Sequence, residues 1–274
     1  MEWACLTKHL IRNPARLLCY RFHRLTVQVI GMKENRVCWL SAGVSSFVAG
    51  VLGNADTWIY IDVADQHPDS MRFVKDCEKA IGQQIIVLKS KEFENVEDVC
   101  RKVGMVNSPA GAPCTGMLKK KVRKQWEHQY LMEHGTFEGL TYLWGYDVSE
   151  RKRAEHIVEN FPEFHHEFPL LERGMSKKNV HGYFDSHCDF KRPLMYDLGY
   201  SNNNCIGCVK GGMGYWNMIR RDFPEVFEAR AKMERDVGHS CINGIFLDEL
   251  EPNRGRTHEV MPECDLLCFL QDYD

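Results

Sequence analysis

The sequence predicts an α/β protein built on an open, mainly parallel sheet with helices on both faces. Three observations carry this. Short apolar runs at 36–40, 57–63 and 83–90 have the length and content of buried strands. The segments between them carry helix punctuation, with Pro68 and Asp69 at one start and Gly82 at its stop. Strand and helix alternate, and alternation of this kind builds right-handed βαβ units whose sheet is covered by helices.

Each element follows in order. RVCWL, at 36–40, is the first strand. It runs into Ser41-Ala42-Gly43 and a helix over Ser45 to Leu52, ending near Gly53-Asn54. TWIYIDV is the second strand, with Asp62 at its end. HPDSMRFVKDCEKAIG is a helix, QQIIVLKS the third strand, and EFENVEDVCRKVG another helix. Pro109 to Pro113 is a loop, CTGMLKKKVRKQWEHQYLMEHG a basic helix, and GLTYLWGYD the fourth strand. Beyond Asp147 the character changes. SERKRAEHIVENFPEF is polar, SNNNCIGCVKGG is a Gly/Asn-rich knuckle, and YWNMIRRDFPEVFEARAKMERDVG is an amphipathic helical region broken before Pro224. Trp216, Ile219, Phe223 and Phe227 recur at helical spacing and read as core.

Bulk properties narrow the function. A chain of 274 residues can bury a proper core. Its net charge of −3 gives no global field for nucleic acid. No apolar run has membrane-spanning length. Twelve irregularly spaced cysteines without a secretory leader read as cytoplasmic, with metal or redox use in place of a disulfide framework. Residues 1–31 are a basic extension, loosely docked; 32–150 form the α/β domain; 151–274 are a helical, Cys-rich extension packed on the same domain.

The first strand ends in small and hydroxyl residues. Ser41, Gly43, Ser45 and Ser46 let backbone N–H groups turn onto an oxyanion, helped by the following helix N-terminus. The same turn between strand and helix also serves plain packing. Two further segments add to it: YIDVADQHPDSMRFV, with Asp62, His67, Pro68, Asp69 and Ser70, and WGYDVSERKRAE, with Gly145, Glu150, Arg151, Arg153 and Ala154. Each follows a strand, where open α/β sheets bind ligands.

Taken together these motifs resemble the phosphoadenosine phosphosulfate reductase branch of the adenine nucleotide α-hydrolase (PP-loop) superfamily, over roughly 32–208. The resemblance implies an adenine nucleotide as ligand or substrate. It places the 41–46 turn on phosphate or sulfate, Asp62 near ribose or adenine, Arg151 and Arg153 on anionic groups, and Gly145 among the nucleotide-binding residues. Ala42 replaces a glycine of the family's loop, and Ser45 stands where ATP-cleaving members carry Asp.

Cys205 and Cys208 form C-x-x-C beside Gly207, Gly211 and Gly212. Two thiolates at this spacing can face one metal, and an inert buried pair is the plain alternative. Cys114 and Cys264 are the further ligands expected, with Cys268 able to replace Cys264. A [4Fe–4S] cluster is the first expectation and zinc the second. Cys264 also stands in a Glu-Cys context similar to the family's nucleophile, without its Gly and His. A thiolate there would attack the sulfur of the bound sulfonucleotide and release the nucleoside bisphosphate. KKKVRK at 119–124 reads as a solvated basic face or a phosphate contact. His67 and the His165-His166 pair read as helix-start or surface polar residues.

The expected function is therefore sulfur reduction or transfer by a phosphoadenosine phosphosulfate reductase-like enzyme. Its partners would be an adenine sulfonucleotide or ATP and a thiol electron or sulfur donor protein, with no membrane. One alternative is an ATP-dependent sulfurtransferase acting on nucleic acid, as in tRNA thiolation or DNA phosphorothioation. Another is a non-catalytic nucleotide-binding, metal-stabilised interaction protein.

Overall fold

The computed structural model describes residues 34–108 and 111–256. These described residues belong to one compact unit. Five strands make one sheet: β1 (Asn35–Leu40), β2 (Thr57–Ile61), β3 (Ile86–Leu88), β4 (Leu140–Leu143) and β5 (His165–Glu167). Their order is β3-β2-β1-β4-β5, and every pairing is parallel. The chain builds outward from β1 through β2 to β3, then returns to the other side of β1 to lay down β4 and β5. The reversal falls between β1 and β4, the position at which open α/β sheets bind ligands.

Eight helices cover the sheet: α1 (Val44–Leu52), α2 (Asp69–Ile81), α3 (Val96–Val103), α4 (Lys121–His134), α5 (Arg151–Asn160), α6 (Lys177–His187), α7 (Met213–Asp222) and α8 (Pro224–Val237). Shorter helical turns lie between them, including Leu194–Asp197.

Strand alternation splits the core in two. Cys38, Leu40, Trp58, Tyr60 and Leu143 point to one face, against Phe47, Phe73, Val180 and Phe184 of α1, α2 and α6. Val37, Trp39, Ile59, Ile61 and Tyr142 point to the other, against Val99, Val122, Trp216 and Met233 of α3, α4, α7 and α8. Both faces are buried, so the strands read as continuous apolar runs. The α/β class, the parallel sheet and the helices on both faces stand as the sequence predicts. No helix among the described residues is long and apolar enough to cross a membrane.

The sheet differs from the sequence reading at its edge. His165 and His166 lie in β5, where His166 pairs with Tyr142 of β4. His166 Nδ1 accepts the Trp144 indole N–H at 3.0 Å, so Nε2 carries the proton that goes to the Phe161 carbonyl at 2.9 Å. Burial lowers the affinity of His166 for a second proton. The basic run is also only partly solvated. Arg123 is buried and paired with Glu127 at 2.8 Å, while Lys121 meets Glu92 at the surface. Trp216, Ile219 and Phe227 are core as expected.

Candidate functional site

The turn from β1 into α1 is braced from within. Ser46 Oγ accepts the Ser41 N–H at 3.0 Å and donates to the Gly43 carbonyl at 3.0 Å. Its proton is thereby used, so the 3.0 Å contact with Ser41 Oγ is donated by Ser41. Ser46, expected on the ligand, spends its hydroxyl shaping the turn, while Ser45 stays half-buried beside it. Ala42 sits at φ 55°, a left-handed conformation that costs a non-glycine residue about 1–2 kcal/mol. Its carbonyl is held by Asn203 Nδ2 at 2.7 Å, an anchor that offsets part of that cost.

Gly145, two residues past β4, lies directly against this turn. A Cβ there would stand 2.7 Å from the Ser46 nitrogen and 2.8 Å from the Ser45 carbonyl carbon. Only a glycine lets the chain leaving β4 meet the backbone starting α1 this closely. The contact sits where the strand order reverses between β1 and β4.

The remaining expected residues are dispersed around this point. Asp62, at the end of β2, pairs with Lys89 at 2.7 Å and lies 3.5 Å from the Tyr60 hydroxyl. Arg153 pairs with Glu150 and stacks on the Tyr146 ring, 4.7 Å from its centroid. Arg151 is exposed at the first residue of α5. Glu150 and Asp147 cap the turn before α5 reciprocally. His67 serves α2, its Nδ1 accepting the Asp69 N–H at 3.1 Å.

The C-x-x-C knuckle docks on the loop after β2. Cys205 bridges Gln66, and the Ile206 N–H donates to the Asp65 carbonyl at 2.8 Å. The knuckle turns at Gly207, φ 69°, and is closed by Tyr215, whose hydroxyl accepts the Cys208 N–H at 2.8 Å and donates to the Cys205 carbonyl at 3.1 Å. Cys205 is buried and Cys208 and Cys114 are half-buried. Among the described residues no three His, Cys, Asp or Glu side chains gather as a metal site. Cys264 and Cys268 lie outside the described residues.

Four residues that the sequence reading missed do much of the positioning. Asp65 joins the buried Arg230 guanidinium and accepts the Val96 N–H at 2.7 Å, tying α8 and the start of α3 to the loop under the knuckle. Tyr196 places its hydroxyl at the start of α1, accepting the Val44 N–H at 3.4 Å. Lys177, half-buried at the start of α6, contacts Asn202, and burial lowers its pKa despite nearby Glu150 and Asp147. Asn203 reaches both Ala42 and Ser70. No local signal in the sequence marks any of the four, since each acts on a partner far away along the chain.

A cleft lined by Phe47, Gly50, Trp58, Tyr183 and Cys188 opens near the C-terminal end of α1. It lies away from the strand ends and brings together none of the residues above.

No family model matches the chain, and no curated protein matches it. Among solved structures the chain is similar to phosphoadenylyl-sulfate (PAPS) reductase from Candida auris, determined as a phosphate complex. The two share 15% identity at a TM-score of 0.41, over 65% of this chain and 84% of that one.

Proposed function

We propose that the chain is an enzyme that binds an adenine sulfonucleotide at the strand-order reversal between β1 and β4 and reduces or transfers its sulfur. One observation carries this reading. The small-residue turn at 41–46 and Gly145 pack backbone against backbone at the point where the strand order reverses, with α1 directed away from it. An anion there meets the positive end of α1. Ser45 in place of an acid keeps negative charge off the turn, which suits a ligand gripped by amides without a carboxylate-held metal.

The thiol side of the reading falls to the C-terminal region. The Arg256 carbonyl would lie 2.0 Å from a Cβ on Gly214, so the described chain ends across the start of α7, beside the knuckle. Cys264 is eight residues further on, a span of at most about 29 Å. In this proposal its thiolate attacks the sulfonate sulfur, an S–S bond forms as the S–O bond breaks, and the nucleoside bisphosphate leaves with the electron pair. One thiolate of a dithiol donor then attacks the Cys264 sulfur and sulfite leaves with the electron pair of the S–S bond; the donor's second thiol displaces the Cys264 thiolate, so the donor ends as a disulfide. If a cluster or zinc is held, Cys114, Cys205, Cys208 and Cys264 are its ligands. The described residues gather no such set, so no step here runs through a metal.

The test is turnover of adenosine 3′-phosphate 5′-phosphosulfate with a dithiol, reading sulfite and adenosine 3′,5′-bisphosphate. Release of both, lost in Cys264→Ser, is expected. Pyrophosphate release from ATP with no sulfonucleotide turnover would favour the sulfurtransferase reading instead.

A further inference from the structure

Gly43 has no side chain, and the space where a Cβ would stand is flanked by two hydroxyls, Tyr196 Oη at 3.2 Å and Ser41 Oγ at 3.3 Å. Ser41 is exposed and Tyr196 half-buried, so the space is bordered by side chains that reach solvent. The Ser41 proton is committed to Ser46 Oγ at 3.0 Å. The Tyr196 proton is not. Tyr196 Oη accepts the Val44 N–H at 3.4 Å, and its O–H meets no acceptor among the described residues. Burial lifts the phenol to about 12, so the proton stays in place at neutral pH.

The turn's own amides are partly used up. The Ser41 N–H goes to Ser46 Oγ, the Val44 N–H goes to Tyr196, and Gly145 faces the Ser46 nitrogen. Tyr196 thus takes one N–H from the positive end of α1 and offers an O–H in exchange, polarised by the bond it accepts. A hydroxyl donating to a charged acceptor makes a bond roughly twice as strong as a neutral pair does.

We infer that Tyr196 is a further binding residue of this site, its hydroxyl donating to a phosphate or sulfate oxygen of the bound nucleotide. The inference rests on the nucleotide reading above and supplies a side-chain donor which that reading lacks. The ring is held in place for this. His181 packs edge-on against it, with ring centroids 4.8 Å apart. Arg72 donates to the carbonyls of Lys191 at 2.6 Å and Arg192 at 3.0 Å, and Asp69 accepts the Leu194 N–H at 2.8 Å. The first turns of α2 thus anchor the segment that leads into Tyr196.

The first test needs no variant. A crystal structure of the full chain with adenosine 5′-monophosphate should place a phosphate oxygen about 2.5–2.7 Å from Tyr196 Oη. In calorimetric titration, Tyr196→Phe should bind the monophosphate about tenfold more weakly and bind adenosine as the unaltered protein does. A merely structural role, through the lost Val44 bond, would weaken both ligands alike. Phosphate at the turn with Oη more than about 3.5 Å away overturns the inference and leaves the nucleotide reading standing. So does a Tyr196→Phe variant that binds the monophosphate undiminished or weakens both ligands equally. An unaltered protein that binds no monophosphate overturns both.

Discussion

Gly145 and Asp69 each carry a position that no other side chain serves as well. Gly145→Ala would push a methyl to 2.7 Å from backbone at the start of α1, and backbone cannot swing aside as a side chain can. Overpacking of this kind costs about 1–3 kcal/mol. The expected outcome is a lower melting temperature together with nucleotide binding weakened about tenfold, read by denaturation and titration on one preparation. Asp69 is held below the usual carboxylate range, first by its hydrogen bond from Arg72, with the Leu194 N–H adding to it. A depressed folded-state pKa gives stability that is fully present above the unfolded value, near 3.9, and is lost as pH falls through the folded value. The Asp69→Asn variant should therefore be less stable than the unaltered protein at pH 7, with the gap closing below about pH 4. A gap that stays constant across that range would contradict the assignment.

Much of the site was legible in these residues, and the reason is chemical. Ser41, Gly43 and Gly145 mark close backbone approach, and small residues announce that in any sequence. Asp65, Tyr196, Lys177 and Asn203 were not legible. Each acts across a long sequence separation, and nothing local in VADQ or LGYSNNN tells an anchoring polar group from a solvated one. The bracing role of the Ser46 hydroxyl was not legible either, because spacing alone does not say which way a hydroxyl points.

Among the elements, the loop after β2 ties the most pieces together. It receives the knuckle at Asp65 and Gln66, the start of α3 at Asp65, and α8 through the Asp65–Arg230 pair, whose side chains are 9% and 5% exposed. Arg230→Ala leaves a buried carboxylate without its cation and should cost about 3–5 kcal/mol in chemical denaturation. Replacing both by Leu should recover only part of this, since the Val96 N–H then loses its acceptor too. The strands predicted at 36–40 and 57–63 were readable because sheet burial on both faces leaves unbroken apolar runs, and the one at 83–90 because its edge strand keeps the apolar run 85–88 although Ile86 and Val87 are exposed. β5 was not. Its three residues, His165, His166 and Glu167, carry no such pattern, and only pairing to β4 makes them a strand.

At the scale of the molecule, four of the eight described cysteines are packing groups. Cys38, Cys77, Cys100 and Cys241 are buried, and burial raises each thiol, Cys100 to about 12. They pack as small apolar side chains in the two core layers. Labelling the native protein with a thiol reagent, followed by peptide mapping, should leave these four unmodified until the chain is denatured. Early labelling of any of them would contradict the packing described. Composition told of twelve thiols but not of their depth, which depends on the two-layer architecture.

The central claim is that an anionic nucleotide sits where the strand order reverses. The most direct test is a crystal structure of the full chain grown with adenosine 3′,5′-bisphosphate. The account predicts a phosphate over the 41–46 turn, close to Gly145. Nucleotide bound instead in the cleft between Phe47, Trp58 and Tyr183, or absent at saturating concentration, would contradict it.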